Sequence, residues 1–340
     1  MPPHIIPIRH DGDVPHSLSH ALDAVLDGLP ADPLRRATAS LIEAYRSGEP
    51  PTAQVLRDPI SAAAYAAYRM PATHAAVSRA LRHATDLAPD LEVRTSVDVG
   101  GGTGAATWAA AAAFPALERC TVLDGSADAL ALGARIGRHG PAAVATATWS
   151  RALLGRGVTL PAADLVVISY VLGELADAVH APVVDAAVEA AGRLVLVVEP
   201  GTPRGYAAVL AARSRLTEAG WHLLAPCPQD GPCPLAARRG DWCHFAVRLD
   251  RSALHRRLKG GRLGFEDEKF SYVLASRTPV SPARGRVLRH PVTRKGLVQL
   301  EVCDSGGSAG PVVVTRRDRV AYRAARDASW GDPWSVPGLC

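Results

Sequence analysis

The chain has 340 residues, 48% of them hydrophobic and 21% charged, a composition that excludes an intrinsically disordered protein and suffices for one enlarged or two globular domains. Its 38 lysines and arginines outnumber 33 aspartates and glutamates, which leaves a net charge of +5. No run of about 18 uncharged apolar residues occurs, and residues 1–13 lack the apolar core of a signal peptide. We therefore expect a cytoplasmic protein that does not enter a membrane.

The first 90 residues predict an N-terminal helical domain. Apolar residues recur at three- and four-residue spacing over His16–Leu29, Asp32–Arg46 and Asp58–Ala88. The second and third segments begin with an aspartate followed by a proline, the combination typical of an N-cap and first helical turn. Pro71 interrupts the third segment and implies a break between two helices. Near this break, Arg69 is either a substrate contact or, as we favour, part of the turn that joins the two helices.

The stretch Val97–Gly104, followed by the small-residue run Ala105–Ala113, organises the middle of the chain. Arg94–Val99 predicts a buried strand, the glycines predict a tight turn, and the alanines predict a helix packed closely on the strand. Glycines let the backbone approach a ligand, and the N-terminus of the helix offers unpaired N–H groups and partial positive charge. This strand, loop and helix unit predicts a site for a nucleotide-like cofactor.

Two cofactor templates fit these glycines. Gly100, Gly102 and Ala105 match the dinucleotide fingerprint G-x-G-x-x-A. The pattern D-x-G-x-G-x-G over Asp98–Gly104 instead resembles the first motif of class I methyltransferases that use S-adenosylmethionine. Because the acidic residue lies inside the end of the strand, we favour S-adenosylmethionine, and a nicotinamide cofactor remains the alternative.

A second predicted strand, Cys120–Asp124, also ends in an acidic residue. Such a carboxylate binds the ribose hydroxyls of either cofactor, so it supports a cofactor site without choosing between the two. The candidate cofactor-binding residues are therefore Asp98, Gly100, Gly102, Gly104 and Asp124.

From Arg94 onward, strands and helices alternate, as expected of a doubly wound parallel sheet. After the first two strands the pattern predicts a helix at Ser126–Arg138, a third strand near Ala142–Thr148, a fourth at Asp164–Tyr170 and a fifth at Arg193–Glu199. The predicted fold class is α/β, a class I methyltransferase (Rossmann-like) doubly wound sheet. Its expected divisions are an N-terminal helical domain at 1–90, the sheet domain at 91–225 and a C-terminal cysteine-rich and β extension at 226–340.

The residues after the fourth strand bear on catalysis. In methyltransferases of this class the acceptor lies beside the end of that strand, and enzymes that methylate base amines usually show Asn- or Asp-Pro-Pro-aromatic there. Ser169–Leu172 reads Ser-Tyr-Val-Leu instead, so the amine-methylation motif is missing. Tyr170 and Glu174 remain as candidate catalytic residues, and the alternative interpretation is that either one shapes the pocket wall. After Tyr170, we expect Val171 to begin the next helix.

Four of the six cysteines fall in the C-terminal third, in the pattern C-x5-C-x9-C-x59-C: Cys227, Cys233, Cys243 and Cys303. The first three crowd into a polar, proline-rich segment that does not suit cysteines as small buried hydrophobes. Disulfides are disfavoured by the redox poise of the cytosol, and a catalytic Pro-Cys nucleophile would explain one cysteine only. Shared metal ligation is therefore the favoured interpretation.

Four thiolates suit either zinc or an iron–sulfur cluster. Structural zinc usually uses C-x2-4-C pairs, which this spacing lacks. The prolines after Cys227 and Cys233 and the wide, irregular spacing favour a [4Fe–4S] cluster over zinc. Cys120 and Cys340 are expected not to be ligands. Three nearby arginines are candidates to offset the negative charge of the cluster: Arg238, Arg239 and Arg248.

Positive charge concentrates towards the C-terminus. From Leu235 to Trp330 we count 20 lysines and arginines against 9 aspartates and glutamates, a net of +11, so the remainder carries 5 − 11 = −6. This asymmetry is the electrostatic footprint of a protein that meets a polyanion such as RNA, with a solvated basic face as the alternative. The residues expected to contact RNA phosphates are Arg256, Arg257, Lys259, Arg262, Arg284, Arg286, Arg289, Arg294 and Lys295.

Five segments together resemble the methyltransferase-like assembly factors of the small ribosomal subunit in mitochondria and their bacterial relatives. These segments are Asp98–Gly104, Glu199–Pro203, Cys227–Pro234, Asp241–Phe245 and Lys269–Val273. The resemblance covers roughly residues 55–305, and the proline-flanked cysteine segment is its most specific part. It implies a methyltransferase fold, a four-cysteine [4Fe–4S] site and association with the small ribosomal subunit.

The sequence thus predicts an S-adenosylmethionine-dependent, methyltransferase-like protein with a [4Fe–4S] cluster that acts on or with small-subunit ribosomal RNA in ribosome assembly. One alternative is a non-enzymatic assembly factor that keeps the fold to grip immature RNA. The other is a nicotinamide-dependent oxidoreductase. Methyl transfer from a sulfonium is an in-line displacement that positioning alone can serve, so sparse catalytic residues do not exclude an enzyme.

Overall fold

The computed structural model describes residues 4–5, 16–47, 56, 58–259 and 263–335. Their strands form two sheets, a larger one of eight strands and a smaller one of six. The first strand, β1 (His4–Ile5), belongs to the smaller sheet. Within the described ranges, every helix falls short of the length and hydropathy that a membrane span requires. The cytoplasmic location stays a prediction.

Four helices precede the large sheet, as the sequence predicts. Asp58 caps the third of them, because its Oδ1 accepts the backbone N–H groups of Ile60 at 2.9 Å and Ser61 at 2.8 Å. Arg69 is the single residue between the third and fourth helices, which confirms the predicted break before Pro71. The helices are α1 (His16–Leu26), α2 (Ala31–Ser47), α3 (Pro59–Tyr68) and α4 (Met70–Leu87).

Eight strands form the larger sheet, and six helices lie between them along the described chain. The strands are β2 (Thr95–Val99), β3 (Arg119–Asp124), β4 (Thr148–Arg151), β5 (Ala163–Ser169), β6 (Ala191–Pro200), β7 (His222–Ala225), β8 (Phe245–Asp250) and β9 (Phe265–Ser276). The helices between them are α5 (Ala105–Ala113), α6 (Ala127–Gly137), α7 (Ala142–Ala145), α8 (Asp177–Ala190), α9 (Pro203–Glu218) and α10 (Ala253–Lys259). A single 3-10 turn, Leu172–Glu174, precedes α8.

The strand order is β4-β3-β2-β5-β6-β9-β7, with β8 paired to β9. Strands β2 to β6 are mutually parallel, whereas β9 runs antiparallel to both β6 and β7. A reversed strand inserted between the fifth and sixth parallel strands is the arrangement of class I methyltransferases, and it confirms the predicted fold class. In the dinucleotide-binding order 3-2-1-4-5-6, the position beside the fifth strand holds another parallel strand instead.

Two predicted elements differ from the structure. The third strand begins at Thr148, and the preceding Ala142–Ala145 forms the short helix α7, because Pro141 starts a helical turn that alanines continue readily. The helix expected from Val171 is only the 3-10 turn 172–174, and α8 begins at Asp177. Only the second difference lies at the carboxyl ends of the strands, where open α/β sheets bind ligands.

The smaller sheet consists of β1 and the five described strands that follow β9. They are β10 (Gly285–Val287), β11 (Val292–Arg294), β12 (Leu297–Asp304), β13 (Ala309–Thr315) and β14 (Pro333–Trp334), and α11 (Arg319–Asp327) packs on them. The expected C-terminal extension, 226–340, contributes to both sheets. Its strands β8 and β9 join the larger sheet, because β9 is the reversed strand that this fold inserts beside β6.

Apolar side chains bury both faces of the larger sheet. One face packs under α4 and α5, with Leu81, Leu196 and Phe270 almost fully buried. The other face packs under α8 and α9, around Val184 and Leu216. Burial of each such side chain is worth about 1.5–3 kcal/mol. This packing fixes the strand ends on which the candidate site lies.

Candidate functional site

The glycine loop, residues 100–104, follows β2 and leads into α5. Gly100, Gly102 and Gly104 have positive φ angles of 66°, 54° and 87°, which favour glycine. A Cβ atom on Gly100 would lie 2.3 Å from Val171 Cγ2, and one on Gly104 would lie 2.6 Å from Trp149 Cη2. A Cβ atom on Gly102 would meet nothing closer than 3.8 Å. Packing therefore demands two of the predicted glycines, whereas a Cβ atom on the third would make ordinary van der Waals contacts with Tyr65, Asp124 and Leu56.

Asp124 ends β3 and lies beside Gly102. Its Oδ2 accepts the Gly102 N–H at 2.9 Å, and its Oδ1 accepts the Ser126 N–H at 2.7 Å. Burial raises the pKa of this carboxyl group, and the N–H bonds oppose the rise. Each carboxylate oxygen has a second lone pair for a ligand donor. The geometry brings Asp124 and Gly102 together, as the sequence predicts.

Asp98 lies beneath the loop. Its Oδ2 accepts both the N–H and the hydroxyl of Thr107, each at 3.1 Å, so the carboxyl group ties α5 to the end of β2. Among the described residues its Oδ1 has no hydrogen-bond partner, and burial raises its pKa to about 7. A Cβ atom on Gly101 would lie 2.6 Å from Asp98 Cγ. Asp98 thus supports the loop from the inside, a positioning role that the motif alone does not reveal.

The N-terminal helical domain closes one side of the glycine loop. The Ser126 hydroxyl donates to the Leu56 carbonyl at 2.8 Å. The Cβ position on Gly102 lies 3.8 Å from Tyr65 Cε1 of α3 and 3.9 Å from Leu56 Cδ1. Burial, with the negative charge of Glu174 second, raises the pKa of the Tyr65 hydroxyl. Sequence reasoning missed Tyr65, whose signal is an aromatic ring in an otherwise alanine-rich helix.

Tyr170 directly follows β5, which lies on the opposite side of β2 from β3 and Asp124. It has a positive φ of 57°, rare for a residue other than glycine. Its hydroxyl donates to Glu268 Oε1 at 2.8 Å, and Arg69 grips both oxygens of Glu268 at 3.0 and 3.1 Å. Burial and the charge of Glu268 raise the pKa of Tyr170 well above its usual value. We call Arg69, Tyr170 and Glu268 the acceptor-edge triad.

Glu199 holds the turn that follows Tyr170. Its two carboxylate oxygens accept the N–H groups of Val171 at 3.1 Å, Leu172 at 2.8 Å and Gly173 at 3.3 Å. Full burial raises the pKa of Glu199 to about 7, and these bonds oppose the rise. Glu174, the other candidate catalytic residue, lies half-buried in the same turn, and its charge adds to the raised pKa values of Tyr65 and Glu199.

The four predicted cysteines converge on one cavity between the two sheets, here called the cysteine cavity. Cys227, Cys233 and Cys243 come from the segment between β7 and β8, and Cys303 comes from β12. All four are free thiols, as is Cys120, which is buried in β3 away from the cavity. Cys340 lies outside the described residues. The sequence predicted this grouping, and the fold brings Cys303 to the other three cysteines although it lies sixty positions after Cys243.

Helix α9 supplies polar groups to two of the sulfur atoms. The Arg213 guanidinium donates through Nε to Cys227 Sγ at 3.4 Å and through a terminal nitrogen to the Gln229 carbonyl at 3.2 Å. The Tyr206 hydroxyl lies 3.3 Å from Cys233 Sγ, within hydrogen-bonding distance. Tyr206 and Arg213 lie seven positions apart, on one face of α9. They fix the segment between β7 and β8, which carries three of the cysteines, to the larger sheet.

The arginines that serve the cavity differ from those expected. Arg213 and Arg286 line it. Arg238 is instead paired with Glu301 at 3.0 Å, and Arg248 with Asp267 at 2.7 Å. None of the three expected arginines lines the cavity, since Arg238 and Arg248 are paired with acidic side chains and Arg239 is exposed; whether they offset the charge of a cluster stays a prediction.

The thiol groups destabilise one another's charged forms. Burial, with the neighbouring thiolates second, raises the pKa of Cys243 well above its usual value and that of Cys303 to about 12. Among the described residues, no three His, Cys, Asp or Glu side chains form a group that could hold a metal ion. A single tetrahedral ion with 2.3 Å bonds to sulfur would bring the sulfur atoms within about 3.8 Å of one another. The cysteines therefore face one cavity without forming the geometry of a single-ion site.

The basic residues expected to contact RNA differ in how exposed they are to solvent. Arg286 is only 1% exposed and donates to the carbonyls of Pro226 and Gly331, each at 3.0 Å, so it was wrong as a phosphate contact. Arg289 is half-buried and pairs with Asp241. Arg256, Arg257, Arg284, Arg294 and Lys295 are exposed. Arg262 and the side chain of Lys259 lie outside the described residues.

Comparisons with known proteins give a consistent family. A family model described as "Mitochondrial small ribosomal subunit Rsm22" matches residues 59–335. The human protein named "Ribosome assembly protein METTL17, mitochondrial" is 29% identical over 286 residues, which cover 79% of this chain and 61% of the human protein. The fission yeast "Rsm22-cox11 tandem protein 2, mitochondrial" is 26% identical over 188 residues, covering 43% of this chain and 25% of its own length. The chain thus spans less than two thirds of the length of these relatives.

Among solved structures, magnesium protoporphyrin IX methyltransferase from Synechocystis with bound S-adenosylmethionine is similar to 62% of this chain. The match covers 84% of that structure at 12% sequence identity, with a TM-score of 0.36. At this TM-score the likeness adds no support for the fold or for a ligand. The fold assignment rests on the strand order of this chain.

Proposed function

Since this chain belongs to the mitochondrial small ribosomal subunit Rsm22 family, we propose that it acts on or with the RNA of the small ribosomal subunit during assembly. In this proposal its methyltransferase-type sheet binds S-adenosylmethionine, and its four cysteines hold a [4Fe–4S] cluster. The observation that carries the proposal is the glycine loop beside Asp124, at the strand ends where open α/β sheets bind ligands.

The glycine loop supports a bound nucleoside in three ways. Gly102 brings its backbone against the carboxylate of Asp124, and each oxygen of that carboxylate accepts one described N–H group and has a second lone pair. Ribose hydroxyls are donors that match such a carboxylate. Tyr65 and Leu56 flank Gly102 from the N-terminal side. When bound there, S-adenosylmethionine supplies an electrophilic methyl group.

Four thiols line the cysteine cavity, and four thiolates are the ligand set that an iron–sulfur cluster uses. Cys227, Cys233, Cys243 and Cys303 would be the four ligands. The Arg213 N–H near Cys227 Sγ and the Tyr206 hydroxyl near Cys233 Sγ are the kind of contacts that tune clusters.

A second candidate function is a non-enzymatic assembly factor, and one observation favours it. The polar groups of the acceptor-edge triad satisfy one another, since Arg69 and Tyr170 both bind Glu268. A base that is to be methylated needs donors and acceptors that are free to bind it. A nicotinamide-dependent oxidoreductase has lost its support, because the reversed β9 occupies the place of the parallel strand in dinucleotide-binding sheets.

Two experiments test the proposal. Calorimetry of the anaerobically purified full chain should detect binding of S-adenosylmethionine and no binding of NADH. Binding of NADH without binding of S-adenosylmethionine would reject the glycine loop as a site for S-adenosylmethionine. Small-subunit particles from cells that lack the protein should then be incubated with the protein and isotope-labelled S-adenosylmethionine. Label in the RNA makes the chain an enzyme, whereas stable association without label favours the non-enzymatic factor.

A further inference from the structure

The C-terminal sheet presents a cluster of seven exposed basic residues at one end. They are Arg294, Lys295, Arg316, Arg317, Arg319, Arg323 and Arg326, here called the arginine patch. None of the seven forms a salt bridge with another residue in the described part of the chain. Only the first two were singled out from the sequence, so five of the members emerge from the structure.

Strand register brings the distant parts of the patch together. Arg294 pairs with Leu297 across the β11–β12 turn, and Leu297 pairs with Thr315 at the end of β13. The Arg316 N–H donates to the Gly296 carbonyl at 3.1 Å, so the two turns touch. Residues twenty positions apart therefore lie side by side at one end of the sheet.

Helix α11 aims three of the arginines in one direction. Arg319, Arg323 and Arg326 are spaced by four and three residues, which places them within one stripe of the helix. The opposite face, with Ala321 and Ala325, is fully buried against the sheet. Because that packing fixes the rotation of the helix, the stripe points into solvent.

The arrangement is unfavourable for the helix itself. Like charges at i,i+3 and i,i+4 repel, and Asp327, four residues after Arg323, is the one acid within α11 itself. Arg316, Arg317 and Arg319 also crowd the positive end of the helix dipole, where the cap residue Asp318 is the one acid. A polyanion bound to the patch would remove both penalties.

We propose that the arginine patch holds the phosphate backbone of small-subunit ribosomal RNA, an inference that rests on the proposed function. Arginine matches phosphate oxygens with two parallel N–H groups, which suits a backbone contact. RNA is favoured over a lipid surface, because a membrane-binding helix needs a free apolar face and that of α11 is already buried in the sheet. Tyr322, beside the stripe and 5.8 Å from the Arg316 guanidinium, adds a ring on which a base can stack.

The test compares two triple variants of the full chain. In one, Arg319→Gln, Arg323→Gln and Arg326→Gln neutralise the stripe. In the other, Arg119→Gln, Arg135→Gln and Arg138→Gln remove the same charge from exposed arginines of the larger sheet. Binding of small-subunit RNA is measured from 0.05 to about 0.5 M salt, and each lost phosphate contact lowers the slope of log K against log salt by about 0.7–0.9.

The stripe variant should bind RNA about a hundredfold more weakly near 0.15 M salt, with the slope reduced by about 2, while the control changes little. Equal losses in both variants, or wild-type binding by the stripe variant, would overturn the patch and leave the proposed function standing. If the wild-type chain binds no RNA at any salt, the proposed function itself fails. Loss of binding to phosphatidylglycerol vesicles alone, with RNA binding unchanged, would assign the patch to lipid and reject the proposal.

Discussion

The glycine loop and the cysteine cavity meet their polar requirements differently. In the loop, the chain provides the partners: Asp124 receives two backbone N–H groups and Asp98 receives the N–H and hydroxyl of Thr107. In the cavity, the Arg213 guanidinium and the Tyr206 hydroxyl reach two of the four sulfur atoms, while burial and neighbouring thiolates raise the pKa of Cys243 and Cys303. The first site is preorganised by hydrogen bonds within the fold, and we expect the second to depend on a bound cluster. The two sites should therefore respond differently to mutation.

The largest expected effect is at the cavity. Cys303→Ser should abolish both iron binding and soluble protein, since Cys303 on β12 is the proposed ligand that would tie the smaller sheet to the other three cysteines. The measurement is iron per chain and soluble yield after anaerobic purification. Wild-type protein should contain about four irons.

Cys120→Ser provides the control, because Cys120 is buried in β3 and should leave the iron content unchanged. If wild-type protein contains one zinc and no iron, made in cells with intact cluster assembly, the cluster is rejected and the four-ligand site remains. If Cys303→Ser keeps its iron and solubility, the cavity is no less preorganised than the loop, and the comparison breaks.

The next effect is at the loop and should be a loss of stability without loss of iron. Gly104→Ala forces a side chain into a φ of 87° and against the Trp149 ring. Together these should cost about 2–4 kcal/mol of unfolding free energy, measured by urea denaturation. Gly157→Ala is the matched control, since Gly157 has a φ of 76° with no atom within 4 Å. Equal losses would show that packing against Trp149 does not shape the loop.

Asp124→Ala should have a smaller effect on folding and a specific one on ligand affinity. Loss of the charge-assisted bonds to ribose hydroxyls should weaken S-adenosylmethionine binding about ten- to a hundredfold, or 1.5–3 kcal/mol. Calorimetry measures this, with the exposed Asp90→Ala as control. Affinity unchanged in Asp124→Ala would remove this carboxylate from the donor site.

The smallest effect is a change in pH dependence. The pKa of Asp98 is about 7 in the folded chain, above its ordinary value of 3.8, because burial disfavours the charged form. The folded state therefore holds more protons between those values, and this group lowers stability as pH rises through the window, by up to about 1.4 kcal/mol per pH unit.

Asp98→Asn replaces the titratable carboxyl group with a neutral amide. The NH₂ group of that amide can take the position of Oδ1, an atom with no hydrogen-bond partner among the described residues. Its stability relative to wild type should therefore rise from about pH 4 to pH 7 and stay constant above. Unfolding free energies across that range check the slope, with Asp90→Asn as control. A flat difference would show that Asp98 has the same pKa in the folded and the unfolded chain.

What the sequence predicted well was local. The cap at Asp58 and the break at Arg69 depend on residues within three or four positions, and both are present in the structure. Thr148 begins the third strand later than expected, because alanines left the pattern between helix and strand undecided. The burial of Arg286 could not be foreseen, since it depends on His83, Pro226 and Gly331, which lie up to 203 positions away.

The candidate site shows the same division. The glycines, Asp124 and the four cysteines were found because their residue types carry chemistry at recognisable spacings. Tyr65, Glu268 and Arg213 were missed, since each acts through a contact made by a different element of the fold. The arginine patch was seen only in part, because its two halves are neighbours in strand register and not in sequence.

The position of β9 has a consequence for the order in which a growing chain can fold. β9 lies between β6 and β7 in the larger sheet, yet it follows both along the chain, so the ribosome must synthesise residue 276 before that sheet can close. By then Cys227, Cys233 and Cys243 have emerged, while Cys303 has not. Cys303 is thus synthesised after the last strand of the larger sheet, and a nascent chain passes through a stage in which the other three cysteines are present without it.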